Sequence, residues 1–289
     1  MTTLSYDNGL VMDTTARIIE KHDLTKITKL FVVHAPLVAR NAAPGQFVIL
    51  RVTETGERIP ISLTDFDRDA GTITIVVQEV GRTSALVNAL DLGDDFLDFV
   101  GPLGDPVPLP EDGHAVLIGG GFGTGALFPL ARELRKRGVR VSSIIGARTR
   151  SLVILSQLLS KESDELHVCT DDGSAGYHGF VTGRLEELLD AGAGFTHCFA
   201  VGPMPMMRAV ATTTEKRGLP TMVSLDPLMV DGTGMCGGCR VSIGGESLFA
   251  CVDGPFFDAH QVDFDIADDR LQIYKEQEKV ACERAGLGR

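Results

Sequence analysis

The sequence predicts three consecutive units: an antiparallel β-barrel, an α/β doubly wound parallel sheet, and a small C-terminal module. Three observations predict this order. Short β-rich runs broken by turn residues fill residues 14–110. From His114 the pattern changes to strand, glycine loop, helix, strand, as a parallel sheet requires. Near the end, three cysteines cluster as Cys236, Cys239 and Cys251. The corresponding domains are 1–111, 112–222 and 223–289.

The elements follow in chain order. "KITKLFVVHAP" and "GQFVILRV" are short β-rich runs, and "GTITIVVQEVG" alternates around Val76 and Val77. "APGQ", "ETGER" and "DLGDD" are turns, and "TSALVNAL" reads as a helix. "HAVLIGGGFGTGALFPLARELRKRG" is a strand, a glycine loop and a helix, followed by the strand "VRVSSIIGART". "LHVCTDDG", "GRLEELLDAG" and "THCFAVGPMPMMRAVATTTEKRG" continue as strand, helix, strand, helix. "DDRLQIYKEQEKVACERAG" reads as one surface helix.

Composition narrows the function. With 27 basic and 39 acidic residues the net charge is −12, so there is no basic stripe for nucleic acid. No apolar run reaches the roughly 18 residues of a membrane span. The start lacks the basic region and apolar stretch of a signal peptide. Six cysteines in 289 residues are not a disulfide framework. The expected location is the cytoplasm.

The glycine loop carries the first chemical signal. Gly121-x-Gly123-x-x-Ala126 fits the dinucleotide pattern, with Gly120 and Thr124 beside it. Such a loop needs a tight turn, close backbone approach to a pyrophosphate, and a helix N-terminus aimed at it. The strand-loop-helix context favours binding over a structural turn. After the next strand, Arg148 and Arg150 stand where an acidic residue would hold the ribose of NAD; arginine there is the NADP expectation. Gly202, Pro203 and Met204 end a later strand and open a helix, at the edge expected to hold the nicotinamide. Asp171 and Asp172 read as a turn, and Cys198 as a buried strand residue.

In the first unit, Arg58 and Arg82 are planar donors suited to a pyrophosphate. Gly81, Thr83 and Ser84 offer backbone and hydroxyl donors at a helix start. Taken alone, Arg58 could equally be a solvated charge, and Gly81–Ser84 a hairpin exit.

In the tail, a plant-type [2Fe–2S] site reads C-x4-C-x2-C…C. Cys236, Cys239 and Cys251 fill the last three positions, and Asp231 holds the first. A zinc site with the same four ligands is the alternative, as is a fourth ligand drawn from water, Asp226 or Asp253.

The order of motifs then resembles a known family. "APGQF", "RIPIS", "GRTS", "GPLG", the glycine-rich unit, "GPMPMM" and "DPLMVDGTGMCGGCRVSIGG…FACVDGP" follow one another from about residue 14 to about residue 265. This resembles the ferredoxin–NADP reductase superfamily. Within it the chain is similar to the electron-transfer subunits of dihydroorotate and sulfide dehydrogenases, and most of all to the small subunits of electron-bifurcating NADH-dependent ferredoxin:NADP oxidoreductases.

The resemblance implies FAD on the barrel, with Arg58, Pro60, Ile61 and Ser62 near the flavin and Gly81, Arg82, Thr83 and Ser84 on its pyrophosphate. It implies NAD(H), with NADP(H) as the other candidate, on Gly120, Gly121, Gly123 and Thr124, and a [2Fe–2S] cluster in the tail. It implies a larger flavin and iron–sulfur subunit as partner, and ferredoxin reached through that subunit. Two positions depart from the family. Ile59 separates Arg58 from Pro60, and the glycine loop ends Gly125-Ala126 rather than Ala-Pro. The expected function is hydride exchange between NAD(P)H and FAD, with single electrons passed through the cluster and no catalytic acid or base. Alternatives are a dihydroorotate dehydrogenase subunit, a hydrogenase or sulfide dehydrogenase diaphorase, and a zinc-bearing nucleotide-sensing domain.

Overall fold

The computed structural model describes residues 16–284 and 286, with the strand backbone of 3–5 and 11–13. The first two residues of the stretch read as strands (14 and 15) and residue 285 of the stretch read as a tail helix lie outside the described residues. The short strands β1 (Thr3–Ser5) and β2 (Val11–Asp13) pair antiparallel.

The first main sheet contains β3 (Arg17–Asp23), β4 (Thr28–His34), β5 (Phe47–Arg51), β6 (Ile59–Asp67), β7 (Thr72–Gln78) and β8 (Asp98–Leu103). Its order is β3-β4-β7-β6-β5-β8, and every pair is antiparallel. Alternating residues build its core. Phe31 and Val33 of β4 and Ile73 and Ile75 of β7 are fully buried on one face, as the twofold strand period demands. Each such side chain stabilises the fold by roughly 1.5–3 kcal/mol through burial.

Of the expected antiparallel barrel, the described residues show a six-stranded antiparallel sheet without a continuous β3–β8 ladder. Its edges meet through the loop before β8: Arg17 bridges Asp95, Ile18 donates to the Asp94 carbonyl, and Gly93 and Phe96 donate to the carbonyls of Ile18 and Ala16. The loop before β8 occupies the place where a continuous β3–β8 ladder would run. Helix α1 (Pro36–Asn41) interrupts the run of strands, with proline in its first turn, where the missing N–H costs nothing. Helix α2 (Arg82–Ala89) follows β7 as expected.

The second main sheet contains β9 (His114–Gly120), β10 (Arg140–Ala147), β11 (Glu165–Thr170), β12 (Tyr177–His178), β13 (His197–Val201) and β14 (Thr221–Ser224). Helices α3 (Thr124–Lys136), α4 (Ser156–Lys161), α5 (Val181–Asp190) and α6 (Met204–Glu215) connect its strands. Every residue of β9 is buried, because helices cover both faces of a central parallel strand. Val116 and Ile118 enter one core, and Ala115 and Leu117 the other.

The tail forms the hairpin β15 (Arg240–Ile243) and β16 (Glu246–Phe249), then β17 (Phe256–Asp258). β17 pairs antiparallel with β14 and completes the sheet order β12-β11-β10-β9-β13-β14-β17. The single tail helix expected from sequence is two, α7 (Phe264–Gln272) and α8 (Lys275–Arg284). α7 docks through buried Ala267, and Asp263 caps it by accepting the Ile266 N–H at 3.0 Å. α8 buries no residue. Among the described residues no helix is long and apolar enough to cross a membrane.

Candidate functional site: a cleft between two sheets and a cysteine loop

β9 lies between β10 and β13, so the chain leaves β9 toward one side of the sheet and later returns on the other. Ligands of open α/β sheets bind at the carboxyl ends of strands at such a switch point. The loops after β9 and β13 meet here. A Cβ on Gly202 would lie 3.0 Å from both the nitrogen and the Cα of Gly120. A Cβ on Gly123 would lie 2.6 Å from the Val201 carbonyl oxygen, so only glycine fits between the two strand ends. Gly121 differs: its φ is +56° and the space beyond its absent Cβ is open. The loop thus offers bare backbone outward at Gly121 and packs tightly inward at Gly123. Thr124, buried, opens α3. Pro129 within α3 has no N–H to donate back to the Gly125 carbonyl.

The carboxyl ends of these strands face β6 across a cleft. Pro60, Ile61 and Ser62 of β6 line one wall, and Gly123 and Gly202 the other. Asp226 and Met229, from the segment leading to the cysteine loop, also line it. Apart from Asp226 these residues are neutral and suit a flat, uncharged ring. Arg58 is absent from the lining. Its guanidinium lies 3.3 Å from the Asp98 carboxylate, which Arg51 also binds at 2.6 Å. Pro203 and Met204 lie behind Gly202, where Pro203 precedes α6 and Met204 is buried.

Gly81, Arg82, Thr83 and Ser84 assemble at the start of α2. The Ser84 hydroxyl accepts the N–H groups of Val80 and Gly81, each at 2.9 Å. As for any helix start, the first-turn N–H groups lack intrahelical partners and favour an anion. Arg82 is exposed beside them. Thr83 is buried, and its hydroxyl donates to Glu57 at 2.6 Å. Sequence reading missed Glu57, which lies on a loop far from α2 in the chain.

The cysteine loop packs against both sheets. A Cβ on Gly232 would meet Leu103 and Ile49 of the first sheet at 2.6 and 2.7 Å. Cys239 and Cys251 belong to the core cluster of the second. Their sulfurs are 3.1 Å apart, too far for a disulfide of about 2.05 Å. Burial, then the neighbouring Cys239 thiol, pushes Cys251 up to about 12. Asp231 and Cys236 form a second pair. The Asp231 carboxylate accepts the Cys236 N–H at 2.7 Å and the Thr233 N–H at 2.9 Å. These bonds, Thr233 first, hold Asp231 below the usual carboxylate range. Cys236 is exposed. Among the described residues no three His, Cys, Asp or Glu side chains converge on a single ion. The arrangement is two pairs, which fits a two-iron core taking two protein ligands per iron. Asp253 instead accepts the Phe249 N–H at 2.7 Å, and Arg270 of α7 donates to the Gly238 carbonyl at 3.0 Å.

Arg148 and Arg150 follow β10 and are exposed. The Arg148 carbonyl accepts the Asp172 N–H at 3.2 Å, so the loops after β10 and β11 join. Asp172 binds the Ser174 backbone and hydroxyl, the turn role expected for it. Cys198 is buried in β13.

Comparison with known proteins places this architecture. Residues 226–263 match the iron–sulfur cluster binding domain of dihydroorotate dehydrogenase B. The chain is 43% identical over 267 residues to a dihydroorotate dehydrogenase B (NAD(+)) electron transfer subunit homolog from Thermotoga maritima, covering 92% of this chain and 94% of that one. It is 38% identical over 236 residues to the electron transfer subunit from Geobacillus kaustophilus, covering 78% and 89%. Among solved structures it superposes on a chain from the NADH-dependent reduced ferredoxin-NADP oxidoreductase structure, a study of flavin-based electron bifurcation. The TM-score is 0.89 at 40% identity, covering 94% of this chain and 98% of that one. The Amycolatopsis cytochrome P450 reductase matches at TM-score 0.61 and 25% identity, over 71% and 66%. The fold is ferredoxin reductase-like with an iron–sulfur module, and the chain belongs to the family of dihydroorotate dehydrogenase B electron transfer subunits.

Proposed function

We propose that this chain is the flavin and iron–sulfur small subunit of a bifurcating NADH-dependent ferredoxin:NADP oxidoreductase. It works in the cytoplasm beside a larger subunit through which ferredoxin is reached. Residues 1–111 bind FAD, 112–222 the nicotinamide nucleotide, and 223–289 a [2Fe–2S] cluster. The observation that carries this reading is the single cleft. It joins β6, the glycine loop, the end of β13 and the segment leading to the cysteines. When bound, the flavin accepts two electrons as a hydride and releases them singly, which the cluster requires.

The chain's own residues position these groups. Pro60, Ile61 and Ser62 seat the ring. The α2 start and Arg82 hold the pyrophosphate, with Glu57 keeping the Thr83 hydroxyl occupied. Gly120, Gly121, Gly123 and Thr124 cradle the nucleotide phosphates, and Gly202 leaves room for the nicotinamide. Asp231 with Cys236, and Cys239 with Cys251, hold the two irons. The aspartate at 231 supports this reading over a dihydroorotate-oxidising complex. The iron–sulfur domain match over the same residues sets zinc aside.

The purified chain is expected to bind one FAD. Arg82→Ala combined with Thr83→Ala should weaken its retention by on the order of 1–3 kcal/mol, the range for a charge-assisted bond. Most of that loss should come from Arg82, because Thr83 already donates to Glu57. Full flavin occupancy in the double variant overturns the FAD seat. In stopped flow, NADH should bleach the flavin faster than NADPH. The reverse order would assign the nucleotide choice to Arg148 and Arg150.

A further inference from the structure

The cleft has one charged side chain among its lining residues, and the proposed electron path does not use it. Asp226 lies between β14 and the cysteine loop, where it lines the cleft. β6, β7, the glycine loop, the end of β13 and Pro255 contribute only uncharged side chains. The charges on neighbouring elements are taken up elsewhere. Asp65 of β6 pairs with Arg132 of α3. Asp67 caps the turn after β6 through the N–H groups of Asp69 and Ala70. Arg51 and Arg58 share Asp98, and Asp253 binds Phe249. β7 carries no titratable residue.

Asp226 touches water because the cleft is open, and by area it is exposed. By depth it is enclosed in protein, and with no cation beside it burial alone pushes the carboxyl up to about 6. A ring filling the cleft would expel the water that screens the carboxylate.

We infer that Asp226 is the proton store of this site, a carboxylate while the bound flavin is oxidised and a carboxylic acid once the flavin is reduced. The inference rests on FAD occupying the cleft. Hydride transfer oxidises the nicotinamide and reduces the flavin, leaving one added negative charge in a low-dielectric cleft. A second negative charge in the same low-dielectric cleft raises the proton affinity of the carboxylate. The Asp226 carboxylate therefore takes one proton from solvent. One O–H bond forms, and the carboxyl itself is neither oxidised nor reduced. When the two electrons leave one at a time, the proton that arrived with the hydride leaves the ring, and Asp226 returns its own proton to solvent.

The test is a spectroelectrochemical titration of the flavin in the FAD-loaded full chain across about pH 5 to 8. In a window opening near 6 and extending upward, the wild-type protein should take up one more proton per flavin reduced than Asp226→Asn. The Asn variant should keep its FAD and iron, and its flavin potential should be less negative above that window. Equal slopes in the two proteins overturn the inference and leave the FAD assignment standing. A chain that binds no FAD overturns both. Infrared difference spectra give a readout that needs no Asn variant. A protonated-carboxyl band should appear on flavin reduction in the wild type and shift in Asp226→Glu, and its absence from the wild type overturns the inference.

Discussion

Chains carrying Cys239→Ala are expected to purify without iron. Cys239 is fully buried in the core shared by the cysteine loop and the second sheet. Its sulfur lies 3.1 Å from that of Cys251, so the pair can present two thiolates to one iron. Losing groups that only orient a metal ligand lowers affinity about 10- to 100-fold. Losing the ligand itself should exceed that and reduce bound iron to background. Asp231→Ala should lose iron or make the cluster labile. Asp231→Cys should keep the iron and shift the cluster's potential and EPR g-values, because a soft thiolate replaces a hard carboxylate. Iron assay with EPR of each variant is the measurement. Unchanged iron and spectrum in Asp231→Ala would remove this aspartate from the ligand set.

Gly123→Ala is expected to impair nucleotide use and destabilise the chain together. The new Cβ would stand 2.6 Å from the Val201 oxygen, 2.8 Å from the Val201 carbonyl carbon and 2.9 Å from the Gly202 nitrogen. All three are backbone atoms at the end of β13, held by pairing with β9 and β14. Overpacking of this kind costs about 1–3 kcal/mol. The accompanying shift of the loop should cost NADH-driven flavin reduction about 100-fold, as displacements near 1 Å do. Gly121→Ala is the contrast. Its Cβ would enter open space, so the cost to stability is confined to about 1–2 kcal/mol for left-handed backbone. Nucleotide affinity should still fall, since that space is the proposed phosphate seat. Thermal melts beside stopped-flow kcat/KM separate the two variants. A Gly123→Ala protein that melts and reacts like wild type would show that the loop after β9 tolerates a side chain.

The sequence by itself determined the order of units, the strand-loop-helix around Gly121 and Gly123, the helix at Thr83, and the three-cysteine cluster with Asp231 at the first position of its spacing. These features are local: periodicity, glycine placement and ligand spacing act over a few residues. Tertiary structure alone decided that the first sheet lacks a continuous β3–β8 ladder and that the tail returns as β17 beside β14. It turned Arg58 toward Asp98 and Thr83 toward Glu57, partners separated by long stretches of chain. It also made Asp226 a cleft residue. In the sequence Asp226 is an aspartate before a proline. Its chemistry comes from β6, the glycine loop and Gly202, brought around it from three distant segments without a countercharge. Burial, charge pairing and proton affinity depend on which groups surround a side chain in space, and neighbours in sequence are only a few of them.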